Sequence, residues 1–257
     1  LSYNDLNNYV NGPLRVGSDI SSTYPLNGYI SNLRMVYGTA LYQAKFAIPT
    51  SPFTAITNTV FLGLQNSVTT DASTNNYTVS RGTGSTGLYL APATSPFNTV
   101  IKSSSTGYSL ALGWQQTTNA DYLLGTLGYV SALNLAGDFT IEAWIYITAT
   151  PASSGGIIGK QRGAGVYGEY AFMINSSRQL SFGATTGGEG ASWTLTSLTG
   201  STAMALNTWY HVATVRSGTS FKLYVNGVQD APSTASGAVT NGTSSLSIGS
   251  NKDDGSY

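Results

Sequence analysis

The sequence predicts an all-β protein, a two-sheet antiparallel β-sandwich, and three observations carry that reading. Apolar residues alternate with polar or aromatic ones at the period of a strand. Turn residues punctuate the chain at short intervals, with 30 Gly among 257 residues. No helical period lasts longer than a turn or two. Many short strands without intervening helices pack as two sheets rather than as an α/β structure.

In chain order, AIPTSPFTAITN (Ala47 to Asn58) comes first, its prolines and threonines giving an extended connector. In DFTIEAWIYI, Phe139, Ile141, Ala143, Ile145 and Ile147 share one strand face, and Thr140, Glu142, Trp144 and Tyr146 share the other. Short strands follow at Ile157 to Lys160, Glu169 to Ile174 and Gln179 to Ala184, separated by Gly- and Ser-rich turns. Thr208 to Arg216 is the next strand. In SFKLYVNGVQD, the Asn226-Gly227 dipeptide suits the positive φ angles of a type I′ turn and so predicts a hairpin. Leu246 to Gly249 closes the series.

Bulk composition excludes several classes of function. With only 9% charged residues and a formal net charge of zero, the chain has no electrostatic footprint for nucleic acid or an anionic membrane. It contains no Cys, hence neither disulfides nor thiolate metal chemistry. Its apolar runs are strand-sized, well short of the roughly 20 residues of a membrane span. The first residues, from Leu1, read like the interior of a longer chain.

The phrases DFTIEAWIYI, IIGK, TWYHVATVRSGTSFKLYVNGVQ and LSIGS, in that order, resemble the laminin-G-like, concanavalin A-like lectin/glucanase jelly roll. NGYISNLRMVYGTALY (Asn27 to Tyr42) is similar to the closing strands of such a domain. TNTVFLGLQN and DASTNNYTVSRG resemble the joints between successive copies in repetitive bacteriophage virion proteins. The resemblance implies closing strands of a preceding, permuted or swapped sandwich at 1–48, a linker at 49–57, and at 58–257 a sandwich lacking its own closing strands. NGPLRVGS (Asn11 to Ser18) and NGTSSLSIGS (Asn241 to Ser250) then read as one penultimate strand occurring twice. Two expectations follow: the chain continues beyond Tyr257, or residues 14–46 complete the 58–257 sandwich, in cis or in trans.

Motifs that could carry chemistry are few. Gly82, Gly84 and Gly87 satisfy G-x-G-x-x-G, but the following LYLAPATSP cannot supply the helix N-terminus that a pyrophosphate needs. The single histidine, His211, is expected as a core residue donating to a backbone carbonyl; the resemblance implies the same, since similar proteins carry Trp-x-His-Val-Ala without catalysis. Asp138 and Glu142, with Thr140 between them, do not reproduce the alternate acidic residues of glucanases, so Glu142 is expected to support a sheet edge or accept hydrogen bonds beside Trp144. Asn76, Asn175 and Asn241 open N-x-[ST] sequons, expected by chance in so Asn-, Ser- and Thr-rich a chain.

The expected function is a non-enzymatic, lectin-like carbohydrate-binding or adhesion module of an extracellular virion or cell-surface repeat protein. The alternative is a structural spacer or decoration domain of a tail fibre or capsid, with a glucanase third. Tyr167, Tyr170 and Trp193, near Gln161, Arg162, Glu169 and Glu189 in Gly-rich loops, are the sequence's candidates for stacking on a sugar and bonding its edge. Asp253 and Asp254, with Asn251, are candidate calcium ligands, because that cation takes several loop oxygens. The expected partners are a glycan or cell-surface receptor and other virion or surface-protein subunits, including copies of the same chain.

Overall fold

Sixteen short strands make up the computed structural model of the chain, which describes residues 15–16, 26, 28–65, 70–77, 79–81, 89–91, 96–97, 109–112, 123–125, 133–160, 169–185, 196–234, 239 and 247–248. The strands are β1 (Arg15–Val16), β2 (Gly28–Tyr37), β3 (Thr59–Gly63), β4 (Val79–Arg81), β5 (Tyr89–Ala91), β6 (Ser109–Leu112), β7 (Leu123–Gly125) and β8 (Phe139–Ile147). They continue as β9 (Ser154–Lys160), β10 (Tyr170–Asn175), β11 (Leu180–Ala184), β12 (Thr196–Thr199), β13 (Trp209–Ser217), β14 (Ser220–Val225), β15 (Val228–Thr234) and β16 (Ser247–Ile248). Among the described residues there is no α-helix, and none is long and apolar enough to cross a membrane.

Two sheets result. The larger runs β15-β14-β13-β8-β2-β6-β5, with β3 also paired to β2, and the smaller runs β1-β16-β9-β10-β11-β12. Alternation along β8 explains why they stack. Phe139, Ile141, Ala143, Ile145 and Ile147 are all buried in the core, facing β10 and β11 of the other sheet. Phe139 from β8, Phe182 from β11 and Phe221 from β14 meet at centroid separations of 5.8, 6.3 and 6.1 Å, joining the sheets through aromatic packing. This is the two-sheet antiparallel β-sandwich that the alternation predicts.

Two local features position the functional face. Asn226 and Gly227 take φ of 49° and 77°, so the predicted tight turn between β14 and β15 forms. In β2 the register shifts between Ser31 and Arg34, where Asn32 takes φ 50°. The Asn32 amide holds this bulge, accepting from Phe53 N at 3.0 Å and donating to Ser31 Oγ at 2.8 Å.

The N-terminal segment enters the same sandwich. β2 lies between β8 on one side and β6 and β3 on the other, all antiparallel. β1 pairs with β16 in parallel, Arg15 opposite Ser247 and Val16 opposite Ile248. The described parts of the two repeated phrases, Arg15–Val16 and Ser247–Ile248, therefore lie side by side, each residue beside its counterpart.

Candidate functional site

The larger sheet has a second face, turned away from the core, and the chain roofs part of it with its own residues 39–54. Tyr42 and Phe46 stack at 3.6 Å, and Phe46 meets the Tyr224 and His211 rings edge-on at 5.4 and 5.6 Å. Phe53 meets His211 at 6.0 Å and carries the Arg34 guanidinium 4.6 Å from its centroid. Backbone bonds secure this strap: Phe46 N donates to Gly227 O at 3.0 Å, and Leu41 N to Thr140 Oγ1 at 2.8 Å. Arg34 Nη1 donates to Thr54 O at 3.0 Å. The 49–57 stretch expected as a linker thus carries Phe53, only 4% exposed, onto the sheet.

Beneath the strap sits Glu142, wholly buried. Arg34 donates to its Oε1 from Nε and Nη2 at 2.8 and 2.5 Å, while Tyr42 Oη at 2.6 Å and His211 Nε2 at 3.0 Å serve Oε2. Burial opposes ionisation, but the His211 hydrogen bond, the Arg34 charge and the Tyr42 hydroxyl outweigh it and hold the carboxyl below its ordinary range. Since an ionised carboxylate only accepts, the shared proton belongs to His211 Nε2. Burial and the Glu142 charge in turn push the Tyr42 phenol upward. His211 is a core residue as expected, but its partner is this carboxylate and not a backbone carbonyl. Glu142 accepts hydrogen bonds as expected, but from mid-sheet, with β8 flanked by β2 and β13.

This cluster suits anchoring better than acid–base work. All of its acceptor capacity is used, the strap closes it, and a glycosidase needs a second carboxylate about 5–9.5 Å away. Asp138, four positions back, accepts instead from Gly218 N at 2.6 Å at the start of β8. Among the described residues, Trp144 Nε1 and His211 Nδ1 are buried without a hydrogen-bond partner.

Beyond the strap, the same face carries a row of aromatic rings. Tyr29 of β2, Tyr146 of β8 and Trp209 of β13 occupy one row across three neighbouring strands, Tyr146 being the register partner of both others. All three rings are half-buried. Tyr146 lies 5.5 Å from Tyr29 and 5.4 Å from Trp209, with interplanar angles of 70° and 55°. The row is therefore a tilted, ridged aromatic surface and not a flat plate. Trp144, flanked by Phe97 at 5.7 Å, adjoins it. Tyr146 is the outward partner of the buried Ile145 and Ile147, so its orientation follows from strand alternation.

The sequence offers a different set of residues for a ligand. Tyr170 is fully buried, its hydroxyl donating to Leu133 O at 3.3 Å, and burial with the nearby Glu169 charge raises its phenol well above the ordinary range. Glu169 is 1% exposed and pairs with Lys160 at 2.9 Å; Lys160 also donates to Asn134 Oδ1 at 2.7 Å. A ring without an exposed face offers nothing to a pyranose, so these two side chains are corrected to core residues. Gln161, Arg162, Tyr167, Glu189 and Trp193 lie outside the described residues, as do Asn251, Asp253 and Asp254. Among the described residues no group of His, Asp and Glu is assembled to hold a metal ion. Tyr29 and Tyr146 were missed, although aromatic residues on the strand face that should meet water were the available signal.

A family model described as the concanavalin A-like lectin/glucanases superfamily, of the laminin-G type, matches residues 119–257. Among solved structures, the carbohydrate binding module CBM66 from Bacillus subtilis is similar at 16% identity. The match covers 48% of this chain and 94% of that chain with a TM-score of 0.22, a level at which it carries no argument. No curated protein matches the chain.

Proposed function

We propose, from the premise that the chain belongs to the concanavalin A-like lectin/glucanases superfamily, that it is a non-enzymatic, lectin-like module binding carbohydrate on the Tyr29, Tyr146 and Trp209 row. One observation supports this reading above the others: three half-buried rings share one row across three neighbouring strands of the larger sheet. Rings so placed offer apolar faces to the C–H side of a sugar, at a modest further cost of desolvation. Their tilt favours a soluble chain or a chain end over a flat polysaccharide surface. The saturated, roofed Glu142 supports the non-enzymatic half of the proposal.

The same reading extends to a virion or cell-surface repeat protein meeting a surface glycan outside the cell, and to calcium on Asn251, Asp253 and Asp254. A glycan array run with and without chelator tests it. We expect binding to soluble oligosaccharides that Trp209→Ala weakens about tenfold or more, the scale of losing one stacking aromatic, with the melting temperature kept within a few degrees. An array blank at millimolar glycan, or undiminished binding by the variant, would sink the proposal and leave the spacer reading. Unchanged binding and melting temperature after chelation would remove calcium alone.

A further inference from the structure

A concavity lies on the same face at the other side of the strap, where β13 turns into β14. About 200 Å³ in volume, it is lined by Tyr42, Gln43, Val215, Ser217, Ser220 and Lys222. Strand register builds it: Ser217 faces Ser220 at the mouth of the hairpin, and Val215 faces Lys222 one step deeper. The half-buried Tyr42 gives an aromatic wall, backed by the buried Val215, while the two serines and Gln43 give a rim of neutral hydrogen-bonding groups.

Lys222 supplies the charge. Its ammonium donates to Gln43 O at 2.7 Å, which uses one of three donors. Among the described residues the ion pairs are Arg34 and His211 with Glu142, and Lys160 with Glu169, so no carboxylate neutralises Lys222. A cation held in position at a half-enclosed wall, with donors unused, favours an anionic group on whatever fills the space. At about 200 Å³ the cleft falls below the roughly 300–1,000 Å³ of pockets for drug-sized ligands, which suits one small ring and not an extended chain. A free phosphate is a poorer match, since phosphate sites draw on several cations or a helix N-terminus, and here one ammonium stands beside neutral hydroxyls and an aromatic wall.

We propose that this cleft is a binding site for a single carboxylate-bearing sugar of the hexuronate class, its carboxylate on Lys222, its hydroxyls on Ser217, Ser220 and Gln43, and its ring against Tyr42. The site does not depend on the aromatic row, and the two are read separately.

Residue-resolved NMR titration provides that separation, because amide shifts of Ser217 to Lys222 report the cleft and the Trp209 indole reports the row. Three probes are compared: methyl glucuronoside, methyl glucoside and inorganic phosphate. The expected result is saturable shifts at Ser217 to Lys222 with glucuronoside, about tenfold tighter than with glucoside, the scale of one charge-assisted contact. Lys222→Met should bring glucuronoside down to the glucoside level. Because that change also removes the bond to Gln43 O, Ser217→Tyr serves as a second variant, filling the cleft with the ammonium retained and abolishing the shifts. Equal affinity for glucoside, phosphate as tight as glucuronoside, or glucuronoside binding that survives both variants would each overturn the proposal. Shifts confined to the Trp209 indole would overturn it while leaving the aromatic row in place.

Discussion

Glu142 receives its hydrogen bonds from four donor groups on three residues that are distant in sequence, Arg34, Tyr42 and His211, and so ties the strap, β2 and β13 to one point of β8. Removing its charge while keeping its shape leaves a buried guanidinium short of a counterion, and breaking such pairs typically costs about 3–5 kcal/mol. Glu142→Gln should therefore lower the denaturation midpoint severely, which urea titration would measure. The same contacts set the pH response. Because the folded-state Glu142 pKa is depressed, its contribution is complete above the ordinary Glu value of about 4.3 and is lost as pH falls through the folded value. Because the folded Tyr42 pKa is raised, its contribution is complete below about 10 and is lost as pH climbs beyond that toward the folded value. Thermal melts across pH should show acid loss in this window shrinking in Glu142→Gln, and alkaline loss shrinking in Tyr42→Phe. The sequence presented both His211 and Glu142 as buried or hydrogen-bonded residues. It could not show that they touch, since their pairing is decided by strand order and not by anything local to either phrase.

At the scale of elements, the hairpin and the strap meet at one glycine. Gly227 holds φ 77°, and a Cβ there would stand 2.1 Å from Phe46 O, the residue whose N–H bonds to Gly227 O. Gly227→Ala thus combines left-handed strain of roughly 1–2 kcal/mol with a direct collision against the strap backbone. The expected outcome is a loss exceeding the strain alone, together with faster proteolysis within residues 39–54; unaltered protection there would contradict the role given to this contact. The hairpin was legible because Asn-Gly is local turn chemistry. The strap was not: AIPTSPFTAITN has the composition of a connector, and only the face of the sheet beneath it shows why Phe53 and its neighbours settle there.

For the whole molecule, the determining fact is that β2 is an interior strand. Its ten residues fill the space between β8 and β6, and Ile30, Leu33 and Met35 are wholly buried in the shared core. A chain lacking residues 1–48 should show no cooperative melt by circular dichroism, because two strand edges and an apolar trench would be left open. A peptide covering residues 26–48, added in trans, should restore the transition. Fold class was legible from alternation and turn spacing, which are local. The neighbours of β2 were left open between several arrangements, because pairing over so long a separation leaves no local trace. The candidate site suffered most, since a row assembled from Tyr29, Tyr146 and Trp209 exists only once three distant strands lie in register.

The parallel pairing of β1 with β16 also has a mechanical meaning. Tension applied through the chain before Arg15 and after Ile248 pulls two neighbouring parallel strands in opposite directions along their own axes. The bridge between them is then loaded in shear, all of its hydrogen bonds sharing the force at once, whereas an antiparallel terminal pair would peel open one bond at a time. A sandwich fastened in this way resists stretching along its length better than its modest number of terminal hydrogen bonds would indicate.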